Sequence, residues 1–311
     1  MPWKNRYTVS DERCFADEQV TWPGVKKAAF TLTIDLSPTC RAEGLRLHDF
    51  QTPEAFYGMN RGMDVLRQTL GKHAVRATFA VPGVMAEAYA PLLRSLESEG
   101  HEVAAHGWVH EDPSLLDENE EEARLARTTD SLGQALGHRP WGWFSLPRPS
   151  DKYAGGGLSD QTVALLVKHG YEYLGNSTVD DRPHYWLTDA QKSAGILSMP
   201  YYYHFDDQFF LLFPARGTGL EHMDALERNW RRELRAQQNR GLVFNATVHP
   251  HAIAWPHRLW RFDTLLADVM RDGTWWNPTA RECTAHWRTL QPLEDVSISE
   301  EIWTHYEDSL N

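Results

Sequence analysis

From residue 28 to residue 288 the chain alternates between short apolar runs that read as strands and longer stretches with apolar residues at helical spacing. Strands are expected at 28–36, 76–81, 101–106, 141–146, 171–174, 196–204, 242–250 and 274–276. Helices are expected at 63–70, 86–99, 114–137, 159–169, 223–239, 256–271 and 279–288, with a polar loop over 39–60. Strands joined through helices lie parallel, because a parallel pair needs a long crossover. The alternation therefore predicts an α/β fold on a largely parallel sheet, either barrel or doubly wound. Residues 1–27 read as an N-terminal arm, 28–288 as one body, and 289–311 as an acidic C-terminal tail.

Charge and cysteine usage narrow the function. The formal net charge is −12 over 311 residues, which argues against nucleic acid as a partner. Cys14, Cys40 and Cys283 are widely spaced and form no Cys-x-x-Cys pair, so neither a disulfide framework nor a cysteine zinc site is expected. The first residues are polar, and no apolar run reaches the roughly 18 to 20 residues that span a bilayer. A cytoplasmic location with no membrane partner is the expectation.

The residues able to do chemistry fall just beyond the expected strands. Asp35 closes the first. His106 and His110 follow the third, four residues apart around Gly107, and two imidazoles at that spacing point at one volume as half of a zinc-type site. Arg148, Asp181 and His249 follow later strands. In a barrel, the C-terminal strand ends share one face. Each residue also has an ordinary alternative: Asp35 and Asp181 as turn caps, and Trp108 as core packing rather than a pocket wall. Only alternate members of Tyr201–Tyr203 can reach one face of a strand. His251, His204 and His257 are further candidates for the pocket, with a surface or structural role favoured for His257.

The segment from Gly100 to Pro113, Gly-His-Glu-Val-Ala-Ala-His-Gly-Trp-Val-His-Glu-Asp-Pro, resembles the histidine motif of the polysaccharide deacetylase (NodB-homology) superfamily. It is most similar to the branch holding allantoinases, cyclic imide hydrolases and an intracellular-type peptidoglycan deacetylase. Other stretches resemble that branch in the same order: Thr33-Ile34-Asp35, Ala77-Thr78-Phe79 with Pro82-Gly83, Gly142-Trp143 with Arg148, Asp180-Asp181 with Pro183 and Tyr185-Trp186, Pro200-Tyr201, Thr247-Val248-His249-Pro250, and Ala285-His286-Trp287. The resemblance covers roughly residues 20–288. It implies a distorted (β/α) barrel of fewer than eight strands over 28–288. It also implies a divalent metal, zinc above all, held by Asp35, His106 and His110. It assigns His249 as the acid that protonates a leaving nitrogen and Arg148 as the group that positions the aspartate base or the substrate; Trp108, Asp181, Tyr201 and His251 are the candidate substrate contacts.

One position departs from the pattern. The superfamily carries two neighbouring aspartates in its first motif, one as base and one as metal ligand, whereas Asp35 here is followed by Leu36 and Ser37. Three arrangements stay open: Asp35 binds metal and another group is the base; Asp35 is the base and the histidines hold metal weakly; or the site works without metal. The resemblance implies a hydrolase of a non-peptide C–N bond in a small, cyclic amide, imide or ureide. The alternatives are an N-deacetylase of an acetylated amino sugar or peptidoglycan fragment, and an inactive barrel acting as a binding protein. Members of the branch form homo-oligomers, so a dimer or tetramer is the expected assembly.

Overall fold

The computed structural model describes residues 7–148, 151, 156–188, 194–212 and 223–298. Of the acidic tail, residues 299–311 lie outside the described residues. The sheet is built outward from β2 (Ala28–Asp35), whose eight residues are all buried. One edge of β2 pairs in parallel with β9 (Val243–Val248), and the other with β3 (Thr78–Val81). The parallel order continues through β4 (Glu102–Ala105), β5 (Gly142–Trp143), β6 (Tyr173–Ser177) and β8 (Gly195–Pro200). The short β10 (Trp275–Trp276) pairs with Ala28 and Ala29 at the start of β2. Beyond β8 the sheet turns antiparallel, with β7 (His184–Leu187) and then β1 (Thr8–Val9) from the arm.

Seven parallel strands, from β9 through β2 to β8, thus form an incomplete barrel. No ladder joins β8 to β9, because β7 takes the edge of β8 that would meet it, pairing His184–Leu187 with 195–198. The seam is spanned instead by Asn245, whose Nδ2 donates to the Pro200 carbonyl at 2.9 Å, and by a single bridge between Asp206 and Thr247.

Period-two alternation decides which side chains enter the barrel. On β2, Phe30, Leu32 and Ile34 join the core shared with the outer helices, including Leu66 and Leu70 of α1 (Met63–His73). Ala29, Thr31, Thr33 and Asp35 point the other way. Ala29 packs with Ala80, Ala104 and Val243, while Thr31 and Thr33 hydrogen-bond Asn245 Oδ1 at 3.1 and 3.3 Å. The same parity carries Ala104 to His106, and Asn245 and Thr247 to His249. Alternation thus puts three polar residues at one end of the interior.

The opposite end is filled by aromatic rings set against small residues. A Cβ on Gly142 would lie 2.0 Å from Tyr173 Cζ, so that ring occupies the space a side chain would need. Tyr173 donates its hydroxyl to Glu102 Oε1 at 2.7 Å, and Glu102 also accepts from the Arg281 backbone N–H at 3.0 Å, at the start of α7. The remaining helices lie outside: α2 (Ala90–Ser98), α3 (Glu118–Leu136), α4 (Thr162–Lys168), α5 (Met223–Arg240), α6 (Pro256–Asp272) and α7 (Ala280–Leu290).

Three local differences from the sequence reading matter. The stretch 39–60 is not all loop: it carries the helical turns Leu47–Phe50 and Pro53–Tyr57 and runs through a π-helical turn, Gly58–Gly62, into α1. The strand expected over 196–204 stops at Pro200, and Tyr203–Phe205 is a 3₁₀ turn that carries the next residues across the seam. β7 was not expected, because a four-residue antiparallel strand beside Pro183 carries too short an alternation to stand out.

Candidate active site

The centre of the site is Asp35, fully buried at the end of β2. Its Oδ1 is clamped by Ser37, accepting the backbone N–H at 2.7 Å and a short hydrogen bond from the hydroxyl. Its Oδ2 lies 3.3 Å from His106 Nε2 and 3.4 Å from His249 Nε2. Burial pushes the carboxyl pKa up. The imidazoles around it, His106 foremost and then His249 and His110, outweigh that and hold it well below the usual range. Asp35 is therefore a carboxylate.

His106 follows β4, and its Nδ1 is fixed against the Phe144 carbonyl at 3.0 Å. His110 is fixed through Nε2 against the Leu146 carbonyl at 2.9 Å. Gly107 (φ 69°) and His110 (φ 55°) both lie in the left-handed region, so the four-residue spacing closes as a tight loop rather than a helical turn. The two rings lie 3.9 Å apart between centroids. Burial, and then the charge of His106, push the pKa of His110 well down, so its ring is neutral.

What remains is informative. Asp35 Oδ2, His106 Nε2 and His110 Nδ1 are buried and lack hydrogen-bond partners, and the three residues can direct ligand atoms within 4.8 Å of one another. Buried polar atoms are normally satisfied. A carboxylate oxygen and two imidazole nitrogens, each oriented by its other polar atom, form a donor set that fits a divalent metal.

His249 faces this centre from the end of β9. Its Nδ1 meets Asp207 Oδ1 at 2.7 Å, its backbone N–H donates to both oxygens of Asp207 at 3.1 Å, and Asp206 Oδ1 is 3.6 Å away. Burial pulls the His249 pKa down, but the charge of Asp206, the hydrogen bond to Asp207 and the nearby Asp35 carboxylate raise it well above the usual value. His249 is an imidazolium whose Nε2 points at Asp35. Asp206 is in turn held by the Tyr201 hydroxyl at 2.6 Å and Gln208 Nε2 at 3.0 Å, and burial raises its pKa to about 6. A small cavity borders this constellation, lined by Asp35, Ser37, Cys40, Gln208, His249 and His251.

The structure thus brings together Asp35, His106, His110, His249 and His251. Four of the other candidates sit elsewhere, as do the exposed His204 and His257. Arg148 does not reach Asp35: its Nε bonds Asp151 Oδ1 at 3.0 Å, its Nη1 bonds the His110 carbonyl at 3.2 Å, and Nη2 lies 3.4 Å from Asp112. It buttresses the histidine loop from behind. Trp108 turns away from the cavity, packing against Gly83 under the Arg127 guanidinium, 3.8 Å from the ring centroid. Asp181 is occupied by Arg240, which also binds Asp17 at 2.8 Å. Tyr201 reaches the site only through Asp206.

Sequence reasoning missed Asp206 and Asp207, although His204-Phe205-Asp206-Asp207-Gln208 contains a second Asp-Asp pair. The strand expected over 196–204 stops short of them, and Asp180-Asp181 carries the more visible match.

The incomplete barrel shares its fold with solved structures of a polysaccharide deacetylase and an allantoinase. A structure from Mycobacterium smegmatis, assigned to the polysaccharide deacetylases, superposes with a TM-score of 0.75 at 25% identity, covering 91% of this chain and 97% of that one. PuuE allantoinase superposes with a TM-score of 0.73 at 18% identity, covering 87% of this chain and 93% of that one, a likeness of fold. Residues 56–174 match the polysaccharide deacetylase family model. A peptidoglycan deacetylase of Helicobacter pylori is 30% identical over 112 residues, 36% of each chain. The match thus spans little more than a third of that curated relative. Among the described residues, no helix is long and apolar enough to cross a membrane.

Proposed function

We propose that this protein hydrolyses a non-peptide C–N bond in a small neutral amide, imide or ureide. The observation that carries the reading is the convergence of three buried ligand atoms without hydrogen-bond partners, on Asp35, His106 and His110, beside a proton-bearing His249 whose Nε2 lies 3.4 Å from Asp35 Oδ2.

Asp35, His106 and His110 would hold a divalent metal, and zinc suits two imidazoles and one carboxylate. A metal bound there supplies Lewis acidity toward a carbonyl oxygen and lowers the pKa of a coordinated water. Ser37 holds Asp35 Oδ1, so the carboxylate presents Oδ2 alone. His249 carries the proton that the leaving nitrogen needs, and Asp207 and Asp206 keep it there until the C–N bond breaks. The buried surroundings exclude bulk water and strengthen each of these interactions.

The test is turnover of ureides, cyclic imides, lactams and N-acetylated amino sugars by wild type, Asp35→Asn and His249→Ala. Wild type should hydrolyse an imide or ureide, and His249→Ala should lose about 10²–10⁴-fold in kcat. Turnover confined to acetylated sugars would replace this reading with an N-deacetylase. Equal inactivity of all three proteins would leave a binding protein on an inactive barrel.

A further inference from the structure

His251 is the one imidazole bordering the cavity that neither the ligand set nor the proton donor uses. It sits in the helical turn Pro250–Ile253, two residues beyond His249, and is buried. Its Nε2 is enclosed without a hydrogen-bond partner, and its ring lies 5.5 Å from that of His249 at 72°. The fold holds it there. A Cβ on Gly58 would come within 2.8 Å of His251 Cβ and 2.9 Å of its backbone N, and one on Gly62 within 3.0 Å of the Pro250 carbonyl. The π-helical turn Gly58–Gly62 therefore lies flush against the Pro250–His251 backbone, and π-turns recur at functional sites. Trp255 adds a hydrogen bond from Nε1 to the His251 carbonyl at 3.1 Å. Such backing for a buried polar ring with an unmet nitrogen calls for a ligand.

We infer that His251 is a specificity-determining residue: a neutral imidazole that hydrogen-bonds the second polar group of the substrate, the carbonyl or ring N–H next to the scissile C–N bond. In a neutral imidazole Nε2 is a donor or an acceptor according to tautomer, so it can meet either the carbonyl or the N–H of an imide or ureide. Burial and the positive charge of His249 both disfavour a proton on His251, lowering its pKa to about 3, so it offers no cation to an anionic group. The inference rests on the proposed function, since it names the substrate feature that the same cavity reads: a lactam has no second group for His251, whereas hydantoin and succinimide do.

Two measurements on the full chain separate this inference from that reading. In the first, protein labelled with ¹⁵N-histidine is titrated with succinimide, hydantoin and a lactam. The His251 ring nitrogens should shift with the first two and not with the lactam. In the second, His251→Phe should raise KM for hydantoin about tenfold or more while kcat changes less than about threefold, and His251→Gln should recover most of the loss. Lactam kinetics should be the same in all three proteins. A His251→Phe loss shared equally by lactam and hydantoin marks a purely structural role and overturns the inference. So does an unmoved His251 signal at saturating imide, or no binding of either ligand. If wild type binds the imide with the expected shift but turns nothing over, the hydrolase reading falls and the recognition role stands.

Discussion

Replacing Asp207 with Asn tests what keeps His249 protonated. Asp207 is the isosteric carboxylate 2.7 Å from Nδ1, and it also receives the His249 backbone N–H. An asparagine oxygen can still accept the Nδ1 proton, but without charge. A hydrogen bond to a charged partner contributes about 1.5–3 kcal/mol and a neutral one about 0.5–1.5 kcal/mol. The loss of about 1–1.5 kcal/mol corresponds to a fall of about one pH unit in the His249 pKa. A ¹⁵N-histidine titration of metal-free protein reads this directly. Stability follows with a definite sign. His249 is raised in the folded state, so its contribution is full below about pH 6.5, the unfolded value, and fades as pH rises through the folded one. Asp207 is itself raised by burial and costs stability once its partner is neutral. Asp207→Asn should therefore be less stable than wild type near pH 6 and more stable at alkaline pH, so that the two stability–pH curves cross. Superimposable His249 titrations, or parallel curves, would refute the assignment of Asp207 as its charge partner.

Three further outcomes are expected. Buried Glu12 has an unpartnered Oε2, and burial raises its pKa to about 7 from 4.5, so stability should fall as pH rises between those values; Glu12→Gln should gain about 1–3 kcal/mol at pH 8 and little at pH 4.5 in urea melts, whereas an equal gain at both would exclude ionisation as the cause. Gly142→Ala should cost about 1–3 kcal/mol or more through its clash with Tyr173, and Tyr173→Leu should relieve part of that cost in the double variant; additive losses would count against the contact. Protein stripped with chelator and reloaded should take up about one equivalent of zinc by elemental analysis, and His106→Ala with His110→Ala should abolish this uptake; full occupancy of the double variant would place the metal elsewhere.

The sequence carried the fold well where periodicity was long. The run around β2 and the amphipathic stretches of α3, α5 and α6 announced themselves, and the strand ends located Asp35, His106, His110 and His249. Legibility failed where position depends on partners distant in sequence. Beside its near neighbour Asp151, Arg148 is drawn to Asp112 and the His110 carbonyl, and Asp181 to Arg240, long-range pairings that no local pattern encodes. Trp108 faces away because its loop turns through left-handed conformations at Gly107 and His110. The departure at Ser37 reads differently in three dimensions: rather than an empty place in the ligand set, it is a donor that fixes one oxygen of Asp35.

The open seam between β8 and β9 has a consequence for how such a site can vary. In a closed barrel, the main-chain groups at each strand edge are consumed by the neighbouring strand. Here the Thr247 carbonyl is left to accept the Asp207 N–H at 3.1 Å, and the Asn245 side chain holds the end of β8. Residues 201–208 are inserted sideways into the gap, bringing the carboxylates that govern the proton on His249. The segment that sets proton affinity is thus separable from the parallel strands that set the ligand atoms. Substitutions in it can retune the proton on His249 without moving Asp35, His106 and His110, so under the proposed function the working pH is adjustable independently of what the site binds.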